Sequence, residues 1–289
     1  MAKRDFENTD ELLHLLERIA KESPTFQRIA LYIEKNYLKV VFLTASELAE
    51  QMGVSQGSVS RFFMTLGYHG YNDFLRNLQQ VVSEQLTAPR RLAYSRERGR
   101  QQWNGPLDKE IQNILALDDI LQEAASKKII QILQSPAPLY LVSARMSATI
   151  LPYIAYILKK MRENVFVATP GTMEWEQLEL CQPTDINILV VSFPRYANEL
   201  IRKCKELHQR GFSLQLVTDS RLSPLNRYAD AAVFINVVTS SVFDSYSAPL
   251  TYFNLLLRET AAGIPGIQER LEAVEAMEER YHVYFTKRV

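Results

Sequence analysis

The spacing of apolar residues divides the chain into two regimes. From Asp10 to Ala88 the period is helical, with Leu12, Leu13, Leu16, Ile19 and Ala20 on one stripe and Phe26, Ile29, Ala30 and Ile33 on a second. Ser23 is placed to cap the second helix, with Pro24 at the first helical position, where a missing N–H is no loss. Residues 87–106 break the pattern: Arg90, Arg91, Arg96, Arg98 and Arg100 face one acid, Glu97, which predicts a basic linker. Helical spacing returns over 107–133. Beyond it, short apolar, β-branched runs at 139–142, 165–168, 186–191, 214–217 and 232–237 alternate with helix-length segments, and a last helix is expected over about 266–281. That alternation predicts a parallel, doubly wound sheet covered on both faces. The fold class is therefore α followed by α/β, with an all-helical domain over 1–88, a linker over 89–106 and a sheet domain over 107–289.

Composition changes this picture little. A chain of 289 residues that is 47% hydrophobic exceeds the usual single-core size and suits two globular domains. Its charges balance to zero, so any nucleic-acid affinity must come from local charge distribution. Cys181 and Cys204 form no CxxC pair, and His14, His69, His208 and His282 form no ligand pattern, so neither a disulfide framework nor a metal is expected, and no cofactor. The N-terminus turns acidic almost at once and lacks the basic start followed by an apolar run of a secretory signal, and no apolar run is long enough to span a membrane, which makes the cytoplasm the expected location.

The most informative stretch runs from Thr44 to Leu66. Thr44 and Glu47 form a T-x-x-E capping box; Gly53 suits a left-handed helix end, and Ser55 is placed to cap a second helix two residues later. Two short helices across such a turn make a helix-turn-helix, whose second helix enters the major groove of duplex DNA. In that helix Val59, Phe62, Phe63 and Leu66 fall on one face. Ser60, Arg61 and Met64 then point outward with Gly57, while Gln56 and Ser58 stand at the helix start. The expected DNA-binding set is Gln56, Gly57, Ser58, Ser60 and Arg61: amide, hydroxyl and guanidinium groups suit base edges and phosphates, and a glycine permits close backbone approach. A hairpin used only for packing does not need so small and polar an outer face.

Leu48-Ala49, the Val54-Ser55 turn, Val59-Ser60-Arg61-Phe62, Leu66-Gly67-Tyr68, Gly70-Tyr71 and Phe74 together resemble the RpiR family of bacterial transcription regulators. The resemblance covers nearly the whole chain. It implies a C-terminal SIS (sugar isomerase) domain that senses a phosphorylated sugar and assembles the protein into a homodimer or homotetramer, with an operator in double-stranded DNA as partner.

Two loops carry the ligand expectation, because ligands of such sheets sit beyond the carboxyl ends of the strands. SIS domains that bind sugar phosphates look like Gly-x-Gly-x-Ser after the first strand and Ser-x-Ser-Gly-x-Thr after a later one. Here the first loop reads Ser143-Ala144-Arg145-Met146-Ser147 and the second Ser192-Phe193-Pro194-Arg195-Tyr196-Ala197, so Arg145 and Arg195 stand at glycine positions. Downstream, Thr218-Asp219-Ser220 and Ser223-Pro224-Leu225 resemble the ordinary SIS run. The candidate ligand-binding residues are Ser143, Arg145, Ser147, Ser192 and Arg195, and the candidate ligand is an anionic small-molecule effector. Two readings stay open: the arginines clamp an anion through charge-assisted bonds, or they plug a vestigial pocket or pair at an interface. Glu174, Glu176 and Glu179 stand where an isomerase would keep a base, and Ser240, Ser241 and Tyr246 follow the last strand as loop caps or ligand covers. The expected function is DNA-binding regulation without catalysis, the competing class being a sugar-phosphate isomerase with an accessory helical domain.

Overall fold

The computed structural model describes residues 6, 8–82, 87–97, 104–237 and 242–285. The chain forms two compact units. One comprises Met1–Asn113 with Asn236–Ser247, the other Ile114–Ile235 with Ala248–Val289.

The first unit contains α1 (Thr9–Ala20), α2 (Pro24–Val40), α3 (Ala45–Met52), α4 (Gln56–Thr65), α5 (Tyr71–Val82) and α6 (Ala88–Glu97), with most of α7 (Asn104–Leu115). Ser23 caps α2 by accepting the Phe26 N–H at 3.1 Å, with Pro24 in the first turn, as its sequence predicts. The α1 stripe is Leu12, Leu15, Leu16 and Ile19; Leu13, expected inside, lies 37% exposed, because one register of a helix cannot bury both 13 and 15. The core gathers these leucines with Ile29, Ile33, Leu48, Val59, Phe62, Phe63, Phe74 and Leu78. Phe63 and Phe74 meet at a 4.5 Å centroid distance.

The stretch expected to be a linker is largely helical. Arginine, alanine and leucine are good helix formers, and a proline in the first turn removes no intrahelical bond, so charge density and Pro89 do not prevent α6. Arg91 is also not a solvated hinge residue: it is buried and pairs with Asp244 at 2.5 Å. Arg98 and Arg100 lie outside the described residues.

The second unit holds α8 (Leu117–Gln122), α9 (Ala124–Gln134), β1 (Leu139–Val142), α10 (Leu151–Met161), β2 (Val165–Ala168), α11 (Met173–Gln177), β3 (Asn187–Val191), α12 (Asn198–Gln209), β4 (Leu214–Thr218), β5 (Ala231–Phe234), α13 (Ser247–Ala262) and α14 (Ile267–Arg280). The strands form one parallel sheet in the order β2-β1-β3-β4-β5, with Val142 beside Val190 in register. Alternate residues Tyr140, Val142, Ile188, Val190, Leu214 and Leu216 pack with Leu200, Cys204 and Leu207 of α12. Burial pushes the Cys204 thiol up to about 12. On the neighbouring strands, α9 packs against β4 and β5, and α10 against β1 and β2. The final helix packs on α10, where Lys160 pairs with Glu278 at 2.8 Å and Arg270 donates to the Lys159 and Lys160 carbonyls. The run expected as strand to 237 ends at Phe234, and Asn236–Ser247 group with the first unit.

Candidate functional site

The geometry of α3 and α4 follows from their caps. Thr44 Oγ1 accepts the Glu47 N–H at 3.2 Å while the Glu47 carboxylate accepts the Thr44 N–H at 2.7 Å, closing the capping box. Gly53 adopts φ 61°, and the Val54 N–H reaches the Ala49 carbonyl at 3.0 Å, which turns the chain sharply. Ser55 then caps α4 by accepting the Ser58 N–H at 3.1 Å. Gly67, at φ 92°, ends α4 in the same manner, with Tyr68 N–H on the Phe63 carbonyl. The aromatic residues after it brace the fold. The Tyr71 hydroxyl donates toward the Val40 and Leu43 carbonyls, each 2.9 Å away, and Tyr68 donates to Asn77.

On α4, Val59, Phe62 and Phe63 are buried, whereas Gln56, Gly57, Ser60 and Arg61 are exposed together with Met64. Ser58 is half-buried, its hydroxyl 2.9 Å from that of Ser55, so it serves the cap. Sequence reading missed Ser46, whose hydroxyl accepts from Gln56 Nε2 at 2.7 Å. That bond orients the Gln56 carboxamide across the turn and leaves its oxygen available for an incoming donor. Ten residues separate the pair, and only the folded turn brings them together.

In the sheet unit, β2 and β3 flank β1 on opposite sides, so the loops after β1 and β3 diverge at the topological switch point, the usual ligand crevice of such sheets. Both candidate loops sit there. Ser143 is fully buried and donates to the Val191 carbonyl at 2.6 Å. Ser147 accepts the Phe193 N–H at 3.0 Å, and Ser192 is buried with its N–H on Val217. These serines tie the two loops to each other and to the sheet. Arg145 and Arg195 are different: both have exposed side chains and left-handed backbones, at φ 57° and 66°. A side chain in that region costs about 1–2 kcal/mol, so a backbone shaped for glycine persists beneath both arginines. The Arg145 Nε lies 3.9 Å from Glu199, in the first turn of α12, a partner that sequence spacing does not reveal. Behind the second loop, Tyr196 donates to Asp219 at 2.6 Å; burial, then the Asp219 charge, raises its pKa.

Glu179 pairs with Lys203 and Arg210, and Cys181 sits beside the Tyr140 hydroxyl. Burial and that thiol raise the Tyr140 pKa to about 12. Ser240 and Ser241 lie outside the described residues. Among the described residues no His, Cys, Asp and Glu cluster is placed to hold a metal, and no helix is long and apolar enough to cross a membrane.

Residues 13–85 match the helix-turn-helix domain of the rpiR family, and residues 132–258 match the SIS domain. No protein of curated function matched the chain. Among solved structures, the sugar isomerase domain of an RpiR transcription factor from Sphaerobacter thermophilus is similar at 22% identity, spanning 62% of this chain and 99% of that one with a TM-score of 0.55. The Vibrio vulnificus NanR protein complexed with ManNAc-6P is similar at 15% identity over 93% of this chain and 98% of its own, with a TM-score of 0.52. At these identities the likeness shows the fold. With an rpiR-type helix-turn-helix domain followed by a SIS domain, the chain belongs to the RpiR family of transcriptional regulators.

Proposed function

We propose that this regulator reads an operator in duplex DNA through α4, as a homodimer or homotetramer in the cytoplasm, and that an anionic metabolite, a sugar phosphate or a related compound, binds at the switch point and changes that reading. The observation that carries the proposal is the division of α4: Val59, Phe62 and Phe63 are buried while Gln56, Gly57, Ser60 and Arg61 stand free of the core. Arg61 is the one charged residue of α4 and suits a guanine edge or a phosphate. Ser58 contributes at the helix start through its cap. At the sheet edge the Ser143 and Ser147 hydroxyls hold the loops and Ser192 is buried, and Arg145 and Arg195 are the exposed cationic groups of those loops that suit an anion, with Ser143, Ser147 and Ser192 beneath them. The NanR relative is complexed with ManNAc-6P, which supports the choice of anion. The protein is read as a regulator without catalysis, since Glu179 is occupied by Lys203 and Arg210.

A salt-dependent gel shift on DNA upstream of the gene's own operon tests the first part. Arg61→Ala is expected to lose about 1–3 kcal/mol of specific affinity, and unchanged binding removes Arg61 from the reading set. For the second part, a thermal-shift titration with inorganic phosphate is expected to raise the midpoint of the wild type more than that of Arg195→Ala. Equal responses would overturn the anion site.

A further inference from the structure

The outer face of α4 changes chemistry along its length. Toward the N-terminus it presents the Gln56 carboxamide, the bare backbone of Gly57, the Ser60 hydroxyl and the Arg61 guanidinium, all exposed. In the last turn it presents Met64, which is 61% exposed while Phe62 and Phe63 beside it are buried. Met64 lies four residues after Ser60 and three after Arg61, so a rotation of about 100° per residue keeps the three on one stripe. The buried cluster of the helical unit takes in Val59, Phe62, Phe63 and Leu66 and passes over Met64. Packing within the unit therefore gives no reason for a large apolar side chain at this position.

The residue after it sharpens the contrast. Thr65 is exposed, but its hydroxyl donates back to the Arg61 carbonyl at 2.9 Å and so is turned onto its own helix. A thioether is a weak acceptor with no proton to donate, which leaves Met64 to interact chiefly through dispersion and the exclusion of water. In the major groove the edge groups of the bases are hydrogen-bond donors and acceptors, with one exception, the C5 methyl of thymine. That methyl is the base feature an apolar side chain selects. Three residues of helix rise about 4.5 Å, little more than the spacing of about 3.4 Å between successive base pairs, so Met64 reaches a base close to the one facing Arg61.

We propose that Met64 is a specificity-determining residue, which packs on the C5 methyl of a thymine within about two base pairs of the Arg61 contact. The inference rests on the proposed reading of DNA through α4, and it adds to that reading a base chosen without a hydrogen bond.

The full-length protein is used to select duplexes from a random synthetic library, unmethylated so that thymine is the source of the methyl. The selected duplex is then remade with deoxyuridine in place of thymine, one position at a time, which removes the methyl and nothing else. At one position in each half-site the exchange is expected to weaken wild-type binding about threefold to fivefold, the worth of one buried methyl. Met64→Ala is expected to lose a similar factor on the thymine duplex and to bind the thymine and uridine duplexes equally, with its denaturation midpoint unchanged because the position is exposed. Met64→Leu, which keeps an apolar surface, is expected to retain the preference for thymine. No effect of uridine at any position, or the same effect on wild type and Met64→Ala, would overturn the role of Met64 and leave the reading through α4 standing. A wild type that selects no duplex would overturn both.

Discussion

Gly57 sits on the outer face of α4 with no reason inside the protein to be glycine. A Cβ built there meets only Ser55 Oγ, at 3.8 Å, an ordinary contact, and the backbone is not among the positive-φ positions. Glycine in a helix costs about 1 kcal/mol against alanine, so Gly57→Ala is expected to raise the unfolding free energy by about 0.5–1 kcal/mol in chemical denaturation. If the bare backbone is there to approach DNA, the same methyl weakens operator binding; a variant both more stable and equally tight would assign Gly57 no role at the interface. Helical period alone placed Gly57, Ser60 and Arg61 outward. It did not reveal that Ser46 orients Gln56, or that Ser58 turns into the cap, because those bonds depend on side-chain placement across a folded turn.

At the scale of elements, the helix-turn-helix is specified by short-range chemistry. The capping box supplies partners for the first N–H groups of α3, and Gly53 supplies the left-handed residue that lets Ser55 begin α4. Thr44→Ala should therefore lower stability by about 1 kcal/mol, with Thr44→Ser close to wild type, both read from denaturation midpoints at constant slope. An alanine variant as stable as wild type would mean that packing around Leu48 and Ala49 alone holds the helix. Each of these signals spans five residues or fewer, which is why the sequence announces them. Helix α6 is the counterexample: its arginines read as a solvated linker because the acid that buries Arg91, Asp244, lies 153 positions away.

For the whole molecule, balanced charge limits what a single DNA-reading unit achieves. With 33 basic and 33 acidic residues and one charge on α4, a lone copy has little electrostatic hold on phosphate. Pairing two recognition helices on half-sites about 34–36 Å apart adds the affinity that charge does not supply. Sedimentation at micromolar concentration is expected to give a dimer or tetramer, and footprints a site with two-fold symmetry; a monomer at every concentration would refute the paired arrangement.

The sequence by itself determined the two periods, the caps and turn of the helix-turn-helix, the strand runs and the placement of the loops after β1 and β3, because each depends on residues adjacent in the chain or on one repeating face. Tertiary structure decided what those loops do with their side chains. Ser143 and Ser147 find their partners 48 and 46 residues away and turn inward, while the glycine-shaped backbone at Arg145 and Arg195 leaves the guanidinium groups outside. It also decided that residues 236–247 belong with the helices, since Asn236 meets Gln79 across 157 positions, a pairing that no local pattern encodes.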